Sequence, residues 1–293
     1  MDISIVIVNY NGGAMILDAI RSVIATTLGL KYEIIVVDNS SSDGSPETIK
    51  NTFDERVLFV EMGRNAGFAA ANNAGLDRSL GRYILFLNPD TIVLEGALQT
   101  MMRYMDANPK VGACGGNLYS RDMQPQFSYW MLFPGVRMEW SGLFSDYFLR
   151  RKHKGSHEHN YTDSPKEVAY IMGADLMVRR EVVAQVGKMD EDFFLFYEET
   201  EWCYRIRQAG YPIVNIPDAH IIHLEGQTID ALGVRREQMM RSRAIYLRKC
   251  CTPAERIAAN MILAVSCLIR LVWFGMSGNK KKVQFWKHTL KHL

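Results

Sequence analysis

The sequence has no G-x-G-x-x-G after its first apolar run and no G-x-x-x-x-G-K-[ST] anywhere, so neither the dinucleotide cradle nor the P-loop is present to hold phosphates. Its five cysteines, Cys114, Cys203, Cys250, Cys251 and Cys267, are odd in number and show no C-x-x-C spacing, which argues against a zinc site and a disulfide framework. Net charge is also scarce: +2 is too little to indicate nucleic acid by itself. The opening MDISIVIVNYNGG lacks a basic n-region and a small-residue cleavage site, and reads as a first strand, not a secretory signal. Hydrophobic residues at 48% and charged ones at 23% indicate neither disorder nor a wholly membrane-embedded chain.

What is present is a repeated alternation. Apolar runs at residues 3–8, 32–37, 57–61 and 83–87 alternate with helical spacing at 15–25, a Pro46-led segment and the small-residue stretch 69–79. Such alternation predicts a mostly parallel sheet flanked by helices. The fourth run stops at Asn88-Pro89-Asp90, and ligands of open α/β sheets collect at the carboxyl ends of strands, so Asp90 sits where chemistry is expected. A carboxylate there can reach a divalent cation that holds a diphosphate, since Mg²⁺ commonly binds through one or two carboxylates plus substrate phosphates. Asp38 closes the second run ahead of a Ser-, Asn- and Gly-rich loop and can accept hydrogen bonds from a base N–H, while residues 65–73 offer amides to a ribose or base.

Further along, residues 96–108 read as a helix and 111–116 as a strand ending in glycines. Residues 120–165 mix aromatics with the basic run 150–154 and read as a mobile, lid-like insertion. Residues 168–178 form a strand with a glycine break, and acidic residues at 198–201 open a helix whose dipole favours them. The segment 257–276 is strongly apolar but carries Asn260, Ser266 and Arg270, and three lysines follow at 280–282. Spanning a bilayer takes roughly 20 clean apolar residues, so a helix lying in the membrane interface is the better expectation.

The motifs IVIVNYN at 5–11, VVDNSSSDG at 36–44, RNAGFA at 64–69, NPD at 88–90, Gly173-Ala174 and YEETE at 197–201 together resemble the family-2 inverting glycosyltransferases of GT-A fold, and within them the bacterial rhamnosyltransferase-like branch. The resemblance covers about residues 1–250. It implies a GT-A, Rossmann-like domain over 1–250, with a nucleotide-sugar-binding half at 1–118 and an acceptor and catalytic half at 119–250. Residues 251–293 would be amphipathic, membrane-associating helices. Position by position, Asp38 would contact the base, with Asn9, Arg64, Asn65, Asn73, Asn88 and Asp90 around the donor. Asp90 and His223 would hold Mg²⁺ or Mn²⁺. Glu199 would be the catalytic base, with Glu198 and Glu201 as alternates, and Gly173, Ala174, Asp175 and Trp202 would lie on the acceptor side.

The implied activity is inverting transfer of a sugar from a nucleoside-diphosphate donor to a glycan or lipid-linked hydroxyl in bacterial cell-surface polysaccharide synthesis. The expected donor is dTDP-rhamnose, with a UDP-hexose or UDP-galactofuranose as alternative. A catalytically inactive nucleotide-sugar-binding scaffold is the rival of another class. The implied setting is the cytoplasmic face of the plasma membrane, with no nucleic-acid partner. Two departures stand out: Glu-Glu-Thr-Glu replaces the common Glu-Asp-x-Asp, lengthening the base by one methylene, and Asn88 leaves Asp90 as the only acid of its motif.

Overall fold

A computed structural model of the chain describes residues 1–148, 158–224 and 232–293. In chain order the elements are β1 (Ile3–Asn9), α1 (Gly13–Thr26), β2 (Tyr32–Asp38), α2 (Ser45–Phe53), β3 (Val57–Glu61), α3 (Phe68–Arg78), β4 (Tyr83–Leu87), β5 (Thr91–Val93), α4 (Ala97–Ala107), β6 (Ala113–Tyr119) and β7 (Tyr129–Trp130). They continue with α5 (Val136–Phe148), β8 (Lys166–Val168), β9 (Tyr170–Ile171), β10 (Asp175–Arg179), α6 (Arg180–Val186), α7 (Glu198–Gln208), β11 (Ile213–His223), α8 (Leu232–Cys250), α9 (Pro253–Met276) and α10 (Lys280–Lys291). The chain divides into two compact units. One comprises Met1–Met131, Gly155–Phe194 and Glu198–Thr228; the other comprises Leu132–Lys154, Leu195–Tyr197 and Ile229–Leu293.

The first unit holds, among the described residues, a nine-stranded sheet of order β3-β2-β1-β4-β10-β6-β11-β5, with β8 also paired to β11. β1 is buried along its whole length because α1 and α3 cover the sheet, which is why it reads as an unbroken β-branched run. α1 buries Ile16, Ala19, Ile20 and Val23, one stripe at helical spacing; each large side chain so buried contributes about 1.5–3 kcal/mol. The β3-β2-β1-β4 half is parallel, as expected. β10, in contrast, runs antiparallel to both β4 and β6, and β5 and β8 run antiparallel to β11. Orientation is hidden from composition here, since four of β10's five residues are buried, just as a parallel strand's would be.

The second unit gathers α5 with α8, α9 and α10. Its core places Met240, Leu263 and Cys267 against Trp286 and Leu290. α9 begins with Thr252, whose hydroxyl accepts from Glu255 N while the Glu255 carboxylate accepts from Thr252 N, and Pro253 follows at the first helical position. The unit therefore starts earlier than residue 251 and recruits α5 from within the insertion, because one stripe of α9 cannot be buried without neighbouring helices. The insertion is built, not loop-like, where it is described. Ser128 N donates to Glu158 O (2.9 Å), Asn117 Nδ2 donates to Asn160 O (2.8 Å), and the Phe127 and Tyr170 rings stack on Trp130. The basic run 150–154 lies outside the described residues.

Gly81 sets how closely β4 approaches β1. An added Cβ would stand 2.4 Å from Ser4 N and 2.6 Å from Ile3 C, while Gly81 N and Leu80 N donate to Ser4 Oγ at 2.7 and 3.1 Å. Backbone cannot yield as a flexible side chain can, so Gly81→Ala is expected to cost about 1–3 kcal/mol. A urea titration should show a lowered midpoint at unchanged slope.

Candidate active site

β1 and β2 end side by side, with Asn9 opposite Asp38, and β4 ends beside them at Leu87. The chain lays β2 and β3 to one side of β1 and then returns to place β4 on the other, so this carboxyl edge carries the switch point of the sheet. Asn9, fully buried, donates from Nδ2 to Asp38 Oδ1 (2.8 Å), Ser45 Oγ (2.8 Å) and Ser41 Oγ (3.1 Å). Asp38 Oδ2 accepts from Ser40 N and Ser41 N at 3.1 Å each, a turn made possible by the left-handed Ser40 (φ 70°).

The adjoining loop is tied by Asn39, which donates to Asn65 Oδ1 and accepts from Ala66 N, both at 2.9 Å; Arg64 and Asn65 are exposed. Gly67 has φ +93°, and a Cβ there would lie 2.7 Å from Phe194 O, which accepts from Phe68 N at 2.7 Å. Only glycine permits that approach. Asn73 sits away from the loop. Its Nδ2 donates to Met189 O and Glu191 Oε1, both at 2.9 Å, and its Oδ1 accepts from Met189 N at 3.1 Å, so the amide expected at the donor is a strut instead.

Asn88 N donates to Ala174 O (3.0 Å) and Asn88 O accepts from Thr91 Oγ1 (2.7 Å), which fixes the turn carrying Asp90. Pairing of β5 with β11 sets Thr91 opposite His223, and Asp90 Oδ1 lies 3.4 Å from His223 Nε2. Two donor atoms at adjacent positions on a cation with ~2.1 Å bonds are about 3 Å apart, so the pair fits a shared divalent ion with little movement. Asp175, expected on the acceptor side, is fully buried. Its Oδ2 accepts from Gly116 N (2.6 Å), and its Oδ1 has no hydrogen-bond partner among the described residues. Burial pushes its carboxyl up to about 7, against the pull of the Gly116 N–H and of the His223 imidazole.

α7 presents the acids. Glu201 is paired with Arg205 through Nε–Oε1 (2.7 Å) and Nη2–Oε2 (2.9 Å), and Arg205 also donates to the carbonyls of Val186 and Lys188. That fork commits Glu201 to holding the helix. Glu198 is buried and Glu199 half-buried. Burial first, then the neighbouring Glu199 charge and a hydrogen bond to Glu199, hold Glu198 well above the usual carboxylate range; burial also raises Glu199. A Cβ added at Gly173 would touch the Glu199 side chain at 3.5–3.6 Å, so a larger residue there would press on it.

Residues 4–187 match the family described as Glycosyl transferase family 2. The chain belongs to this family. Among curated relatives, it is 26% identical over 228 residues to the dTDP-rhamnosyl transferase RfbF of Shigella flexneri, covering 74% of this chain and 71% of that one. It is 24% identical to the N-acetylglucosaminyl-diphospho-decaprenol L-rhamnosyltransferase of Mycobacterium tuberculosis, covering 65% and 66%. Among solved structures, the mannosyltransferase PcManGT of Pyrobaculum calidifontis in complex with GDP-Man and Mn²⁺ superposes with a TM-score of 0.62 at 15% identity, covering 99% of this chain and 85% of that one. GalNAc-T7 with UDP, GalNAc and Mn²⁺ gives 0.61 at 18% identity, covering 85% of this chain and about half (48%) of the other. The fold is therefore GT-A.

In this family 2 glycosyltransferase the acid pair of α7 and His223 lie beyond the matched residues, so their roles rest on geometry. Trp202, expected beside the acceptor, is core instead. It is fully buried, donates to Gly187 O (2.8 Å) and meets Phe86 edge to face at 5.3 Å. Sequence reasoning passed over Asn39, Ser41 and Asp43, of which Asp43 accepts from Gly13 N (2.8 Å) and so ties the β2 loop to α1. Their signal was in the Asp-Asn-Ser-Ser-Ser-Asp run, where short polar side chains favour bonds to nearby backbone.

The raised Glu198 carboxyl carries a pH signature. Its folded value exceeds its unfolded one, so its contribution to stability is complete below the ordinary value of about 4.5 and is lost as pH rises through the raised value. Glu198→Gln should therefore melt higher than the parent at pH 8, with the difference shrinking toward zero near pH 4.5.

Proposed function

We propose that this glycosyltransferase is inverting and metal-dependent, and moves a sugar from a nucleoside-diphosphate donor to a hydroxyl of a glycan or lipid-linked acceptor. The observation that carries the proposal is the Asp90–His223 pair, 3.4 Å apart where β5 meets β11. The mixed oxygen and nitrogen donor set suits Mn²⁺, with Mg²⁺ as the harder alternative, and the structural neighbours named above were solved with Mn²⁺. A bound cation would neutralise the departing diphosphate, which removes the need for a general acid.

Asp38 and the Asn39-pinned loop bearing Arg64 and Asn65 receive the nucleotide. Glu199 accepts the proton of the acceptor hydroxyl on a carboxylate oxygen as that hydroxyl's oxygen bonds to the anomeric carbon. The bond from that carbon to the phosphate oxygen breaks, and its electron pair leaves with the nucleoside diphosphate. Glu198 holds its own proton and orients Glu199. The donor proposed is dTDP-rhamnose, supported by the similarity to the dTDP-rhamnosyl transferase of Shigella flexneri.

α9 fits the cytoplasmic membrane interface. It is long and apolar enough to cross a membrane by length and composition, yet Ala259, Leu263, Ser266 and Cys267 are buried in its own unit while Ile257, Met261, Val265, Leu268, Val272 and Met276 form an exposed apolar stripe. A helix packed along one face and bare along the other lies in the interface.

Glu199→Gln should lower the transfer rate by about 10²- to 10⁴-fold, whereas Glu198→Gln, which keeps a donor toward Glu199, should stay within about tenfold. Donor turnover with dTDP-rhamnose and Mn²⁺ measures both; equal losses would remove Glu199 from the role of base. Asp90→Ala should abolish the Mn²⁺-dependent part of donor affinity in calorimetry while leaving the fold intact by circular dichroism. If Mn²⁺ still strengthens donor binding to this variant, the metal assignment is lost.

A further inference from the structure

Helix α7 begins at Glu198, and the residue that enters it, Tyr197, is not one of the Ser, Thr, Asp or Asn types that cap helices. Its backbone is left-handed (φ 72°), where a capping residue is usually extended, and Phe196 before it is left-handed as well (φ 67°). That conformation crowds Cβ against the following carbonyl oxygen, so glycine takes it routinely and other residues visit it singly. Among the described non-glycine residues, Asn11, Ser40 and Met123 adopt it in isolation, whereas Phe196 and Tyr197 adopt it side by side. Aromatic side chains offer no local hydrogen bond in its favour. The hold on these two residues therefore comes from elsewhere in the chain.

It comes from α8. Leu195–Tyr197 belong with the helices of the second unit, while Phe194 before them and Glu198 after them belong to the first. Arg235, Ser242 and Tyr246, seven and then four residues apart along one stripe of α8, meet the three residues in turn. Ser242, fully buried, donates from Oγ to Leu195 O (2.7 Å) and accepts from Gln238 Nε2 (3.3 Å). The Arg235 guanidinium lies 5.5 Å from the Phe196 ring, and the buried Tyr246 ring lies 5.8 Å from that of Tyr197. The flanks are tied as well. Phe194 O accepts from Phe68 N (2.7 Å), and α7 is gripped at Glu201 and Arg205, the latter reaching the carbonyls of Val186 and Lys188. The first turn of α7, ahead of that grip, takes its course from residues 196 and 197, and Glu199 stands in it.

We propose that Ser242 is a positioning residue for the transfer reaction: its hydroxyl fixes Leu195 O, the fixed carbonyl keeps Phe196 and Tyr197 left-handed, and that bend aims the Glu199 carboxylate. This rests on Glu199 as the base, and the test separates the two. Phe196→Asn and Phe196→Val are the informative pair. Both remove the same ring, but asparagine tolerates left-handed backbone and a β-branched residue there is an outlier. Phe196 is half-buried, so both variants should fold. Ser242→Ala removes the hydroxyl itself. Full-length variants are compared in hydrolysis of dTDP-rhamnose with Mn²⁺, water standing in for the acceptor hydroxyl, and in calorimetric binding of dTDP with Mn²⁺. Hydrogen exchange over residues 198–204 is followed without nucleotide.

Ser242→Ala and Phe196→Val should lose about 10- to 100-fold in kcat, the range for a misplaced catalytic group, with dTDP affinity unchanged. Phe196→Asn should exceed Phe196→Val by at least about tenfold. In the Glu199→Gln background both losses should vanish, since a residue acting only through Glu199 adds nothing once the base is gone. Exchange should quicken in Ser242→Ala and Phe196→Val but not in Phe196→Asn. Parental kcat in Ser242→Ala, equal kcat in the two Phe196 variants, or losses undiminished beside Glu199→Gln overturn the positioning role. Parental hydrolysis by Glu199→Gln overturns the base instead. If the parent leaves dTDP-rhamnose intact, the donor assignment falls, and equal exchange in the two Phe196 variants then overturns the positioning role.

Discussion

Among the described residues, five carboxylates in the sheet-bearing unit are almost sealed from water, and the site depends on how each is stabilised: Asp38, Asp90, Asp175, Glu198 and Glu201 are all at most 7% exposed. An ionised carboxylate without compensation would neutralise instead of staying charged in such surroundings. Asp38 is answered by three N–H donors, one from Asn9 and two from backbone. Glu201 is answered by a two-point fork from Arg205. Burial holds the Glu198 carboxyl well above the usual carboxylate range and pushes that of Asp175 up to about 7. Asp90 faces the His223 imidazole at 3.4 Å.

That division of labour separates structural acids from reactive ones. A bidentate arginine partner makes Glu201 part of the scaffold. Burial beside the Glu199 charge holds the Glu198 carboxyl well above the usual carboxylate range. In the same way Asn9, buried at the end of β1, braces Asp38 and the serines of the next loop, so this carboxyl end of the sheet is assembled by side chain-to-loop bonds and not by a glycine-rich cradle. In the four-helix unit Arg236, Arg243 and Arg270 line a small cavity with Glu139, and aromatic rings lie beneath Arg236 and Arg270.

Much of the first half was legible. β1, β2, β3 and β4 fall within a residue of their apolar runs; β1 and β4 are buried along their whole length, and a strand covered on both faces must be apolar throughout. The motif residues Asn9, Asp38, Asn88 and Asp90 end up at one edge because parallel strands bring their carboxyl ends together. Asn73 and Trp202 were misplaced for a common reason. Polar amides and indoles serve ligand sites and internal struts equally well, and only partners distant in sequence, Met189 for Asn73 and Gly187 for Trp202, decide between the two. Residues 120–165 read as loop because their order comes from contacts such as Asn117 with Asn160, which no local period reveals.

The sequence by itself determined the alternating α/β order, the loops at the carboxyl ends of the first strands and the presence of an amphipathic helix near the C-terminus, since periodicity and turn chemistry are local properties. Only the tertiary structure decided the antiparallel course of β10, the meeting of Asp90 with His223, the commitment of Glu201 to Arg205, and the gathering of Arg236, Arg243 and Arg270 around one cavity. Each of these turns on which backbone or charge is brought within a few ångströms of another. Electrostatic and hydrogen-bond energies depend on that distance and on the water excluded around it, quantities that exist only once the chain has folded.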